Sequence, residues 1–592
     1  MTKSDKKPIK EWLLTNRLGG YSSQQANRKN SRRFHSLLVA SQNLTRYNLL
    51  SSIEVSPALG VKLKSTQPCV IYALSEKQTM IEEKICFSTA GNAVEIIYMG
   101  SGKIKVRPFF ALRCSHDLRK FSDDIKFSRG RGGYCVFASG ISCHFGPRRN
   151  FRRIRKIKNV SYSEDKIRDG DYREEVFSPG YWDIKIKQNE NFKIFFSDSS
   201  TKKTFVNLEQ ERTDYKNNFV KKFECDSPLC GKLLRSSLDF EAPGCLVAGF
   251  HWFESWGRDM MISIPGILLY PGRKNEARAI LEAAAGMLRN GLLPNIFSTF
   301  NKPASFNSVD ASLWFVWCLS EYKKIAGCDK FLKSMKKPVV SIIKNYIRGT
   351  DYNIKMDEDF LIKAGEKGKA LTWMDAVYEG APVTQRAGKP VEIQGLWYNA
   401  LKFAAEMDFF DGWDLLGKIS KMLLKKFYLK DKGFLADFID ENGSLNTQLR
   451  PNQIITLTLM KNAFTKKQIF GILKIIKSKL LTPYGLRTLS PDDKNHEKIY
   501  WGNLKMRDKA YHQGTVWPWL LQFYYQLERP QKKCFEKIWM KHSREAGLDC
   551  FSELFDADFP HYSRGCIHQA WTVAALLYVA FSNGWINEKI YR

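Results

Sequence analysis

No apolar run in this chain approaches the roughly 18 residues that would cross a bilayer, and the opening MTKSDKKPIKEW is followed by no apolar core of signal-peptide length. A soluble, unexported protein is therefore expected, with no membrane partner. The thirteen cysteines include no paired CxxC spacing, so neither a zinc ribbon nor a disulfide framework is indicated. Reduced thiols in a cytoplasm fit better. Acids are scarce relative to bases: 61 Asp and Glu stand against 93 Lys and Arg, a formal charge of +32. Such an excess points to nucleic acid, an anionic polymer or a membrane surface. The densest patch, GPRRNFRRIRKIK, alternates Arg148, Arg149, Arg152, Arg153, Arg155, Lys156 and Lys158 with Phe151, Ile154 and Ile157, as an ordinary exposed face also does. The remaining basic residues are spread over the whole chain, which favours solvated surface over a nucleic-acid site.

What is present is ample apolar material, 44% of 592 residues, enough for two or more domains. From about residue 10 to 204, short runs such as HSLLVAS, CVIYAL, AVEIIYMG and WDIKIKQ alternate or are β-branched and are separated by Gly, Ser, Asn and Asp. They predict an antiparallel β-sandwich-like domain. Residues 205–227 read as a charged helical linker. Over 228–592, apolar residues recur at helical spacing near 229–240, 257–269, 275–289, 308–325, 333–348, 391–408, 412–427, 452–461, 466–479, 512–527, 530–546 and 566–583. About twelve helices in pairs suit an (α/α)6 toroid, with Gly-, Pro-, Trp- and acid-rich connections gathered as a cleft at one end.

The stretch from Lys369 to Ala400 sets Asp375 among Trp373, Met374 and Ala376. Desolvation by such neighbours predicts a carboxyl that keeps its proton and suits a general acid, although an Asp in WMDA also suits a turn. Farther along, FSELFDADFPHYSRGCIHQAW crowds Glu553, Asp556 and Asp558 beside Arg564. A carboxylate near arginine keeps its charge, as a base activating water must. One protonated and one ionised acid is the division of labour of glycoside hydrolysis. Trp252, Phe253 and Trp256 offer flat faces to a sugar, and Arg258 and Asp259 offer polar groups to its hydroxyls. A buried Arg–Asp pair with core tryptophans reads equally well there. Asp310 in NSVDASLW is a helix cap or a sugar contact. Trp373, Glu392 and Trp397, together with His512, Gln513 and Trp517 in YHQGTVWPW, complete the candidate substrate contacts.

With these residues in view, the chain resembles the glycogen debranching enzyme family in its short prokaryotic, amylo-α-1,6-glucosidase form. The likeness rests on EWLLTNRLGGY with SRRFHSLLVA, then GFHWFESWGRDMMIS, RNGLLPN, NSVDASLW, LTWMDA with PVTQRAGKPVEIQGLWYNAL, RPNQ, LRTLSPDD, YHQGTVWPW and ELFDADFPHYSRGCIHQAW, in family order. The resemblance implies a β-rich domain before a glucoamylase-like (α/α)6 barrel. It also implies hydrolysis of α-1,6-linked glucose at branch points of glycogen or limit dextrin, with inversion and without a metal or organic cofactor. The family's acid falls on Asp375 and its base on Glu553, and Arg258 and Asp259 match the pair holding the terminal glucose. An inverting pair is expected roughly 6.5 to 9.5 Å apart. The chain departs from the family in QQANRKN, at His251 where proline is common, and at Gln385. The alternatives are another α-glucoside hydrolase, glucoamylase- or trehalase-like, on the same barrel, and a non-catalytic glucan- or RNA-binding protein.

Overall fold

The computed structural model describes residues 7–76, 78–120, 124–130, 132–199, 207–297, 303–366 and 368–589. Its first part is built from strands whose side chains alternate between core and solvent, as in Tyr181–Ile186 and Asn191–Ser197. The long strand Ala93–Cys114 joins two layers. Its first half pairs antiparallel with Thr79–Phe87 and Asn191–Ser197, and its second half with Thr45–Ser56 and Tyr181–Ile186. Trp12, Phe110, Phe145, Trp182 and Phe196 fill the space between. The basic segment lies on the outside of this domain. Arg149, Arg153 and Lys158 lay their cationic heads over the rings of Phe192, Phe127 and Phe109.

A helix, Leu208–Val220, follows, capped by the Asn207 side chain. The expected boundary at 204/205 lies outside the described residues. Beyond it the helices sort into two kinds. Gly257–Ile264, Ala311–Ala326, Val391–Glu406, Gln453–Leu459, Leu521–Tyr524 and Ala570–Ser582 are buried nearly all round. Each contacts the next, and the last contacts the first, so they close a cycle. The others bury a single stripe, as Lys336–Arg348 does with Val339, Ile342, Ile343 and Tyr346. Spacing of three and four puts those four residues on one face.

Two expected helices differ. The one predicted over 512–527 is instead a helix Leu504–Tyr511, a short strand Val516–Trp517 and a helical turn from Pro518. Gly514 breaks it: at φ +146 it adopts a backbone that L side chains avoid, and a Cβ there would sit 2.3 Å from the Glu497 carbonyl. The helix predicted over 257–269 is regular only to Ile264, then widens into a π turn, Pro265–Leu269. Proline has no N–H to continue the ladder.

The two parts share a seam. Strand Glu11–Thr15 runs parallel to Gly547–Leu548, and Leu13, Tyr21 and Val39 lie in the core of the helical part. Arg46 donates to the carbonyl oxygens of His251 and Phe253 at 2.7 and 2.8 Å. The first domain thus holds the loop that leads into Arg258.

Candidate active site

The inner helices bring their N-terminal ends to one place. Arg258 and Asp259 occupy the first turn of Gly257–Ile264, Asp310 precedes Ala311–Ala326, and Gln569 precedes Ala570–Ser582. The loops before Val391 and Ala570 carry Asp375 and Glu553. Unsatisfied N–H groups at such ends favour nearby negative charge. Gly257 lets the first of these helices start against the Pro294 carbonyl, which a Cβ would meet at 2.1 Å.

Arg258 is the hub. Its Nε donates to both oxygens of Asp310 at 2.9 Å, and its Nη1 to Asp375 Oδ2 at 2.9 Å. His512 Nε2 stands 3.8 Å from Asp375 Oδ1. On the other side, Glu553 accepts from the Tyr511 hydroxyl and, at 2.8 Å, from the main-chain N–H of Cys566. The Cys566 thiol donates to Gln569 Oε1 at 2.7 Å, and Gln569 Nε2 donates to Asp259 Oδ1 at 3.1 Å. Among the described residues no hydrogen bond joins the Asp375 and Glu553 carboxyls, yet each lies within electrostatic reach of the other and of Asp259. The side chain of Asp375 is 28% exposed, whereas Glu553 is 1% exposed. Asp375 is therefore the more accessible of the two carboxyls to solvent.

Protonation runs opposite to the sequence expectation. Burial pushes Asp375 up, but the His512 imidazole and the Arg258 guanidinium outweigh it and hold the carboxyl below its ordinary value. Burial dominates at Glu553 and raises it to about 7, against the pull of the Tyr511 hydroxyl and the Cys566 N–H. Arg564, expected to keep Glu553 charged, instead clamps Asp556 with bonds of 2.8 to 3.1 Å. Burial also lifts Asp259 to about 8, and holds His512 below the usual histidine range.

Of the expected contacts, Trp256 is half-buried beside Arg258, and Gln513 accepts from Arg450 Nη2 at 2.7 Å. Trp373, His512 and Trp517 form a buried aromatic floor, with ring centroids 5.2 to 5.5 Å apart. Asp310 is buried and bound to Arg258. Glu392 and Trp397 are fully buried and engaged with other partners. Trp397 packs on Tyr346, and Glu392 binds Arg386, which also holds Asp437. That ion-pair cluster supports the site from beneath, since Asp437 accepts from Asn452 and Asn452 accepts from the Trp373 indole. Tyr511 and the Cys566 N–H escaped selection as site groups, the first because it was one polar aromatic among several, the second because a main-chain donor leaves no mark in sequence. Glu11, His35 and His251 alone among the described residues are spaced to hold a metal ion. Arg32 and His35 already occupy the Glu11 carboxylate at 2.8 to 3.1 Å, so these donors are used within the seam.

A family model described as amylo-alpha-1,6-glucosidase matches residues 216–578. The chain belongs to that family. A second model, described as the N terminal of glycogen debranching enzyme, matches residues 10–60 and 59–193, so the β-rich part is a family feature as well. The glycogen debranching enzyme of Saccharomyces cerevisiae is 25% identical over 459 residues, which cover 55% of this chain and 29% of the yeast protein. This member of the amylo-alpha-1,6-glucosidase family thus aligns with under a third of that relative's length. A crystal structure of a bacterial glucoamylase complexed with acarbose has a similar fold, with a TM-score of 0.58, 13% identity, and coverage of 97% of this chain and 91% of the other.

Proposed function

We propose that the protein hydrolyses α-1,6-linked glucose at branch points of glycogen or limit dextrin, by inversion, with Asp375 as acid and Glu553 as base. The observation that supports this reading is that two carboxyl groups from loops 178 positions apart lie within electrostatic reach of each other and of Asp259, with Arg258 bonded to Asp375. Residues 1–204 act as the β domain, 205–227 as linker and 228–592 as an (α/α)6 toroid, its buried helix cycle forming the inner ring. The enzyme works in the cytoplasm, in keeping with thirteen unpaired thiols. Arg258 and Asp259 bind the terminal glucose over the aromatic floor. Its hydroxyls compete with Asp375 for the Arg258 guanidinium, which weakens the bias against a protonated Asp375.

The protonation pattern favours a second assignment, with Glu553 donating the proton and Asp375 activating water. α-Glucosyl fluoride separates the two, because fluoride leaves without protonation. On limit dextrin, Asp375→Asn and Glu553→Gln each lose about 10²–10⁴-fold. On the fluoride, Asp375→Asn retains activity and Glu553→Gln does not if Asp375 is the acid; the reverse outcome exchanges the roles. Full activity on limit dextrin in either variant rejects the pair, and activity on trehalose but not on limit dextrin rejects the substrate.

A further inference from the structure

Behind the Glu553 loop, a second hollow of about 60 Å³ opens at the seam between the β domain and the helices. Four arginines, Arg32, Arg168, Arg507 and Arg564, line it against two glutamates, Glu11 and Glu164. Both glutamates neutralise Arg32, at 3.0 and 3.6 Å. Arg564 is neutralised by Asp556 at 2.8 Å. Among the described residues Arg168 and Arg507 make no ion pair with a carboxylate. Arg168 lies over the Trp252 ring at 4.8 Å. Arg507 donates to the carbonyl oxygens of Gly502 and Arg168 at 3.1 and 3.3 Å, which draws the two cationic residues together. Burial and the neighbouring Arg507 push Arg168 down to about 10.

The Asp165, Asp508 and Glu553 carboxyls lie within electrostatic reach of the pair but none is in ion-pair contact with it, so two like charges held together stay only partly compensated, and a neutral sugar does not relieve them. A doubly charged oxyanion does, and a guanidinium fork matches two of its oxygens. We propose that Arg168 and Arg507 form a binding site for a phosphate group, adjoining the catalytic cleft. Trp252 fixes Arg168 from below, and Gly565 and Cys566 form the wall shared with Glu553. The phosphate arrives either as the free ion or as an ester on a glucosyl unit. The site does not depend on the hydrolytic reading.

The test is calorimetric titration of the full-length protein with inorganic phosphate, glucose 6-phosphate and glucose at constant ionic strength. Wild type binds the phosphorylated ligands saturably. Arg168→Gln and Arg507→Gln each weaken binding at least about tenfold, as loss of a charge-assisted hydrogen bond implies. Arg149→Gln, on the exposed basic patch, leaves it unchanged. Arg168→Lys keeps the charge without the fork and restores part of the affinity, which separates anion recognition from a folding defect. Equal affinity for both phosphorylated ligands identifies a free-anion site, and tighter binding of the ester identifies a phosphorylated sugar. Absence of saturable phosphate binding, or undiminished binding in both glutamine variants, overturns the proposal. Because binding is read without glucose release, failure here leaves the hydrolytic assignment standing, and failure of that assignment leaves this one.

Discussion

Glu553 lies within electrostatic reach of Asp375, so the pH profile of activity is expected to report the two together and not either residue alone. With Glu553 raised to about 7 and Asp375 held low, the singly protonated state spans acid to neutral pH. kcat/KM for limit dextrin is therefore expected to fall as pH rises through about 7, where Glu553 gives up its proton, whichever residue is the acid. The Tyr511 hydrogen bond favours the ionised carboxylate, so Tyr511→Phe raises the Glu553 pKa and moves this alkaline limb to higher pH. A profile flat through neutrality, or a limb moving down in Tyr511→Phe, contradicts the assignment. Both carboxyl groups could be singled out in the sequence from their neighbours, but the charge states that the structure gives them could not. Trp373 and Met374 predicted a desolvated, protonated Asp375. The cation that reverses this, Arg258, lies 117 positions earlier, and only the fold brings it within 2.9 Å.

Short segments at the helix starts set the geometry. Gly565 has φ +68, and a Cβ there would sit 2.1 Å from Glu553 Oε2. Gly565→Ala is expected to push the carboxylate away from the Tyr511 hydroxyl and the Cys566 N–H. A displacement of about 1 Å costs roughly 100-fold in rate, which steady-state kinetics on limit dextrin would register while circular dichroism stays native. Unchanged kcat would mean that Glu553 needs no fixed position. Helical periodicity was readable wherever one stripe faces a core, as in Lys336–Arg348. It misled around His512, where apolar and aromatic residues continue at helical spacing across Gly514 and Pro518. There the chain abandons the helix so that Trp517 enters the floor of the cleft and Val516 pairs with Phe555. Burial alone does not make a contact residue either: Glu392 and Trp397 carry sugar-binding chemistry but face inward.

At the scale of the molecule, the β domain and the catalytic part are one working unit. Arg46 anchors the carbonyl oxygens of His251 and Phe253 from across the seam. Arg46→Met keeps most of the volume but leaves both oxygens without their donor, at an expected cost of about 2–3 kcal/mol. A lower Tm and a raised KM, with the alkaline limb in place, are the expected readings; an unchanged Tm would show that the seam is not tied there. The succession of a β-rich part and a helical part was visible in the change from alternating to helical spacing. The participation of Arg168 was not, because nothing near it in sequence marks a residue of the first domain as neighbour to Glu553.

The parallel pairing of Glu11–Thr15 with Gly547–Leu548 also dictates a timetable. The strand Glu11–Thr15 has no partner on that side until the chain has been made as far as Gly547–Leu548. The loop bearing Glu553 comes just after that partner. The growing chain is thus expected to carry an open sheet edge, and to be catalytically silent, until the residues around Glu553 have been made.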